Sequence, residues 1–250
     1  MALVEHLREL RNRFLIAVIA IVIATVPGWN LYNPVMSALM EPIRARGGQV
    51  NFQGLTDPFA LQLQIAIFIA LFISSPIWLY QIWAFVVPGL TKKEKRTAAA
   101  FILTAVPLFL GGTYLAYLTL PKAVEILLGF TPELGSNIIA ADLYLNFTSK
   151  FLLAFGLAFL LPIFLVAFNL IGILPAAAML RVWRFAVVGI FIFAAVMTPT
   201  PDPFTMFSLA LPMCALYLLA YGIAALNDKR RHRNRPDWAD SLGDDEASPL

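Results

Sequence analysis

The chain has 250 residues, 60% of them hydrophobic and only 13% charged, and its mean hydropathy is +0.78. That composition excludes an ordinary soluble domain and indicates an integral membrane protein. The formal charge of +3 matters less than where the 18 Lys and Arg residues sit, and the lone Cys214, inside an apolar run, excludes an intramolecular disulfide or a Cys-based metal cluster.

Residues 2–13 place Leu3, Leu7, Leu10 and Phe14 on one helical stripe, which predicts an interfacial helix running into a first span over about 14–32. No small-residue cleavage site follows, so this start reads as a retained span and not as a removed signal peptide. In the polar connection 33–57, Val35, Met36, Leu39, Met40 and Ile43 predict a short helix lying against the outer surface. Asp57 and Pro58 open a second span over 58–86, which at 29 residues must tilt or bend, with Pro76 as the kink. Spans at 97–118 and 151–171 follow, each with an internal proline, Pro107 and Pro162, and a second external connection at 120–150 lies between them. The fifth run, 185–197, is short: about 20 Å of helix against a hydrocarbon core of about 30 Å. A tight turn then leads to a sixth run, 204–226, and to a charged tail, 227–250, with too few apolar residues to predict a fold. The expected architecture is an all-α integral membrane protein, a concave bundle of six proline-bent spans over 1–226.

Charge sets the expected orientation. With both termini on the cytoplasmic side, 14 of the 18 basic residues lie inside, and the outer side keeps Arg44, Arg46, Lys122 and Lys150. This is the positive-inside bias.

Little here suggests catalysis. His6 and His232 stand far apart without a second ligand at helical spacing, Ser74 and Ser75 have no nearby His, and no Gly-rich phosphate loop is present. No enzyme, metal or cofactor is expected. The spans lack Asp, Glu, Lys and Arg except at their ends, which argues against an ion pathway. Two acids expected at the inner surface stand out instead. Glu94, in the basic stretch 92–96, is three residues after Thr91 at capping-box spacing, and Glu9 is four residues before Arg13 in helical register. Either acid could also grip guanidinium groups of a partner, and since a carboxylate has several acceptor sites the two roles are compatible.

Several motifs occur in a telling order. HLRELRNR at 6–13 resembles the pattern HLxELRxR, and LYQIWAFVVPGLTKKEKR at 79–96 resembles YQxWxFxxPGLxxxE(R/K)R. Pro42, the Asp57-Pro58-Phe59 start, and TPTPDPF at 198–204 complete the match. On these residues the chain resembles the TatC subunit of the twin-arginine protein translocase over about residues 3–226. The resemblance implies a cell-membrane receptor for twin-arginine signal peptides, the core of a Sec-independent translocase that exports folded proteins using the protonmotive force. By resemblance, Glu9 and Glu94 contact the arginine pair while Leu10, Arg11, Phe85, Pro88 and Leu90 shape the site. TatA/TatB-type single-span subunits would pack near Met197, Thr198 and Met206, Pro42 and Asp202 would be structural, and the remaining partners would be other copies of the chain and the lipid bilayer, with no nucleic acid.

The chain also departs from the family pattern. Residues 155–162 read FGLAFLLP where the family commonly has FGxxFExP, so Leu160 replaces an intramembrane Glu, and Leu218 stands where another acid is often found. Asn169 is a polar candidate nearby but not an equivalent. Two other readings differ in what they require. A proton-coupled small-solute carrier needs a polar midplane cavity, and a membrane-embedded lipid-modifying enzyme needs His or acid residues converging at one face, which the sequence lacks.

Overall fold

The computed structural model describes residues 3–45, 48–86, 92–130, 138–198 and 202–233, except for the side chains of residues 3, 86, 92–98 and 231–233. It is 87% helical. Helix α1 (Leu3–Asn30) carries the amphipathic start and the first apolar run without a break. Its 28 residues extend about 42 Å, more than an untilted crossing of a bilayer core needs. Helix α2 (Tyr32–Arg44) buries Leu39, Met40 and Ile43 of the predicted stripe, with Val35 and Met36 partly buried, and also buries Pro42, which lies off that stripe.

The two loop connections meet. Strand β1 (Gln49–Asn51) pairs in parallel with β2 (Ile138–Ala140), Val50 opposite Ile139, a small addition to the otherwise helical architecture that was expected. Three-residue strands with one β-branched pair carry too weak a pattern to read from sequence.

The second apolar run is two helices, α3 (Asp57–Ile73) and α4 (Ser75–Val86), bent by 60°. Pro76 lacks an N–H and so belongs in a first turn, which moves the break back to Ser74. The bend is tied on both sides: the Ser74 hydroxyl donates to Ala70 O at 2.6 Å, and the Trp78 indole N–H donates to Leu71 O at 2.9 Å. Helix α5 (Lys92–Leu128) absorbs Pro107 and Pro121 without interruption. Helices α6 (Ala141–Ala158) and α7 (Leu161–Leu170) are parted by a two-residue turn ahead of Pro162 without a bend like that of α3–α4, so 141–170 remains one span candidate, and it begins ten residues before the expected start at 151.

Helix α8 (Ala176–Arg181) is one short piece, and α9 (Trp183–Met197) has 15 residues. Helix α10 (Pro203–Arg233) runs past the sixth apolar run into the tail that was expected to lack a fold. The physical reason is a side-chain clamp. Asp228 accepts the Ala176 N–H at 2.7 Å and the Asn169 amide at 3.0 Å, while the Asn227 amide donates to Asn169 Oδ1 at 3.0 Å.

Among the described residues, Val4–Asn30, Ala99–Leu128, Ala141–Leu170 and Pro203–Arg230 are long and apolar enough to cross a membrane, and the bent α3–α4 pair makes a fifth candidate. Glycine sets two of the crossings. A Cβ on Gly28 would strike the Ala66 carbonyl where α1 crosses α3, and one on Gly112 would lie 2.7 Å from Phe155 O where α5 crosses α6. Small residues let helix backbones approach this closely in an apolar medium.

A candidate recognition site at the end of an apolar groove

The first two turns of α1 present a charged edge beside the end of α4. Arg13 Nε and Nη2 both donate to Glu9 Oε1, at 2.9 and 2.6 Å, which is the i,i+4 pairing the register predicts. Glu9 Oε2 has no partner among the described residues, so half of the carboxylate remains available as an acceptor. Glu5, Arg8, Asn12 and Gln81 share the recess around this pair. His6 lies flat on Phe85, ring centroids 4.5 Å apart, and so fixes the α1 end against α4.

An apolar groove of about 380 Å³ begins at this recess. On α1, Leu10, Phe14, Ala17 and Ile21 form one helical stripe along it; Phe85, Phe109 and Leu157 close it from α4, α5 and α6. Arg13 and Gln81 line both recess and groove, which makes the two continuous. The arrangement is a slot for an apolar segment with carboxylate and guanidinium groups at one end. The 60° bend of α3–α4 makes it concave, because Leu71 precedes the break and Trp78 and Phe85 follow it.

Leu10 is 43% exposed at the groove edge. Arg11 is also exposed and donates to Asn12 Oδ1 at 3.3 Å, but it does not line the groove. Pro88, Leu90 and Thr91 lie outside the described residues, and of Glu94 only the backbone is described, in the first turn of α5. Near the turn between α9 and α10, Met197 is exposed, whereas Thr198 is buried with its hydroxyl donating to Ala194 O at 2.8 Å, and Met206 is half-buried against the main core. Asp202 caps α10: Oδ1 accepts the Thr205 N–H at 2.8 Å and Oδ2 accepts the Thr205 hydroxyl at 2.6 Å. Leu160 is buried beside Trp83, Phe101 and Phe109, so this packed apolar side chain fills the place of the family's acid. Leu218 is 62% exposed. Asn169, by contrast, is committed to the clamp with Leu174, Asn227 and Asp228.

Sequence reasoning missed His6, Trp78 and Gln81. His6 was weighed only as a metal ligand, although it shares the Leu10 and Ala17 face of α1 at spacings of four and eleven. Gln81 was visible as an isolated polar residue in an apolar run, without a sign of what it faces.

The family model described as TatC, Sec-independent protein translocase protein, matches residues 5–212. The chain belongs to the TatC family. A curated relative named Sec-independent protein translocase protein TatC, from Xylanimonas cellulosilytica, is 45% identical over 93% of this chain and 87% of its own length. One of the same name from Frankia casuarinae is 40% identical over the full chain and 73% of its own length. A solved structure described as the crystal structure of the twin-arginine translocase receptor TatC superposes with a TM-score of 0.75 at 31% identity, covering 88% of this chain and 99% of that one. This TatC-family chain is therefore a component of a protein translocase, a multi-pass membrane protein and not an enzyme.

Proposed function

We propose that the chain is the receptor subunit of a twin-arginine translocase, binding the signal peptides of folded cargo at the α1–α4 edge. The observation that carries this reading is the continuity of the Glu9 carboxylate with the apolar groove. A twin-arginine signal peptide has the matching chemistry, guanidinium groups followed by an apolar segment. Glu9 Oε2 accepts from one arginine, Glu94 from the α5 start accepts from the other, and the apolar segment lies along Phe14 and Phe85. Leu10, Arg11, Pro88 and Leu90 shape the mouth. Selectivity follows from repulsion, since paired arginines meet a basic surface except where carboxylates receive them.

The same reading has six spans with both termini cytoplasmic in the cell membrane, supported by the basic-residue bias and by the short apolar α9 as an additional crossing. At 15 residues α9 extends about 22 Å, so the bilayer beside it is thinned. TatA/TatB-type single-span helices then join at the α9–α10 face near Met197, Thr198 and Met206, further copies of the chain assemble alongside, and the protonmotive force drives transport. A small-solute carrier is not favoured by the family membership.

The test is photo-crosslinking of a twin-arginine signal peptide to the full chain in membranes. Glu9→Gln and Glu94→Ala should each lower capture by about tenfold at low salt, the loss of one charge-assisted contact. Retention of capture by Glu94→Gln but not by Glu94→Ala would assign Glu94 to capping, and full capture by the double Glu9→Gln/Glu94→Gln variant would refute the receptor site.

A further inference from the structure

Two exposed arginines sit deeper along the bundle than the apolar surface beside them. Helices α8 and α9 are joined across Val182 by helical hydrogen bonds, Val182 N–H to Ala178 O at 3.1 Å and Ala186 N–H to Val182 O at 2.9 Å, so Arg181 and Arg184 follow one another on a nearly continuous helix. Three contacts lay that helix along α10. Asp228 accepts the Ala176 N–H, the Tyr217 hydroxyl donates to Met179 O at 2.8 Å, and Ala186 and Ile190 pack on the cluster of Tyr217, Ala220 and Ala224. Ala176 therefore marks the level of Asp228, and at about 1.5 Å per residue Arg181 and Arg184 lie about 8 and 12 Å beyond it toward the middle of the bundle.

On α10 the same stretch is apolar. Leu218, Leu219, Ile223 and Leu226 are all exposed there, as lipid-facing positions should be. On α9 the outward face of Arg184 continues at steps of four through exposed Val188, Ile192 and Val196. Neither arginine has an ion-pair partner among the described residues, and the Arg184 guanidinium stands 5.7 Å from the centre of the Trp183 ring, itself exposed. Asp228, engaged by Asn169 and Ala176, lies at the level of exposed Lys229 and Arg230, whose two charges outweigh its own. Charged side chains at such a depth are tolerated where they snorkel and where headgroups and water are drawn down to them.

We infer that Arg181 and Arg184 form a headgroup site that draws the phosphate of an anionic phospholipid below the plane of its leaflet, with the acyl chains against Val188 and Ile192. Exposed Trp183 and Phe185 on either side of Arg184 make the surroundings apolar, which suits a phosphate carried on acyl chains and not a free anion. The site is at the opposite end of α9 from Met197 and Thr198, apart from the face proposed for partner helices. The inference rests on the six-span reading for placing α9 in the bilayer.

The test uses the full chain with a photoreactive side chain in place of Phe185, 80% exposed and next to Arg184, in vesicles of equal phosphatidylglycerol and phosphatidylcholine, the adducts being identified by mass spectrometry. Phosphatidylglycerol adducts should exceed phosphatidylcholine adducts by up to about thirtyfold, from the membrane-surface contribution of two basic residues. Arg181→Gln/Arg184→Gln should bring the ratio near one, and Arg181→Lys/Arg184→Lys, which keeps both charges, should hold most of it. Both arginines are exposed, so neither change disturbs the core. Equal yields of the two adducts, or a ratio unchanged by neutralisation, would overturn the inference while leaving α9 in the bilayer. The absence of any lipid adduct would overturn it together with the fifth span, and an adduct to protein, whether a second helix or the acidic stretch 237–246, would overturn it by revealing a different occupant.

Discussion

Removing the Asp228 carboxylate should loosen the junction between α7, α8 and α10 by an amount the structure lets one work out. Its two oxygens accept the Asn169 amide at 3.0 Å and the Ala176 N–H, in the first turn of α8, at 2.7 Å. Loss of a cap of this kind costs about 1 kcal/mol, and a hydrogen bond to a charged group about 1.5–3 kcal/mol. Asn169 is 1% exposed, so its Nδ2 keeps only the Leu174 carbonyl as acceptor once Asp228 is gone. Asp228 itself is half-buried, which tempers the charged contribution, and about 2–3 kcal/mol is the expected total for Asp228→Ala. At roughly 2–4 °C per kcal/mol for a chain of this size, Tm should fall by about 5–10 °C. Asp228→Asn keeps an acceptor for one bond and should lose about half as much. The assay is thermal unfolding of the detergent-solubilised protein, followed by helical circular dichroism. The Asn169→Leu/Asp228→Ala double variant should lose less than the sum of the single changes, because each removes the other's partner. A Tm for Asp228→Ala within 1 °C of the unaltered chain would refute the clamp as the reason α10 extends beyond the apolar run.

Glycine at the α5–α6 crossing gives a paired comparison in the same assay. Gly112→Ala places a methyl 2.7 Å from the Phe155 carbonyl and should destabilise by about 1–3 kcal/mol, whereas neighbouring Gly111→Ala meets nothing within 4 Å and should be neutral or stabilising by up to about 1 kcal/mol. Asp202→Ala should cost about 1–2 kcal/mol through loss of the α10 cap, with Asp202→Asn retaining most of it, as read by the same melting curves. His6→Ala should weaken signal-peptide crosslinking by releasing the α1 end from Phe85, and His6→Phe should restore it by rebuilding the stack. Arg13→Gln should change Tm by less than about 2 °C, since a helix-surface i,i+4 pair contributes only about 0.3–0.5 kcal/mol.

The helices were legible because apolar runs of the required length are hard to read as anything else, and because prolines announced the bends. Even so, Pro76 reads from sequence as a kink within a helix and Pro162 as an internal proline of one span, whereas each proline lies in the first turn of a new helix, where its missing N–H is tolerated. The β1–β2 pair was not legible. Its partners are 89 positions apart, Gln49 and Ile138, and each strand is too short to show a period. The tail was misread for a related reason. Composition from Asn227 onward is polar, but the helix is extended by tertiary hydrogen bonds from Asn227 and Asp228 that no local pattern displays. At the site, the Glu9–Arg13 pair was visible as spacing, while the His6–Phe85 stack, joining residues 79 positions apart, was not.

The energetics of the two kinds of polar contact separate what supports the fold from the mouth of the proposed binding site. The Asp228–Asn169 clamp and the Asp202 cap are half-buried or buried and have multiple bonds, so they hold the helix ends that frame the bundle. The Glu9–Arg13 pair, on one turn of an exposed helix end, is weak by comparison and uses a single carboxylate oxygen. A guanidinium arriving from a ligand can therefore take the second oxygen, or displace Arg13 from the first, without dismantling anything that supports the fold. The groove behind it needs no such exchange, because its walls are fixed by the Trp78 and Ser74 ties across the α3–α4 bend. Rigid apolar walls with a labile charged mouth suit a ligand that must be recognised and then released to the next step of transport.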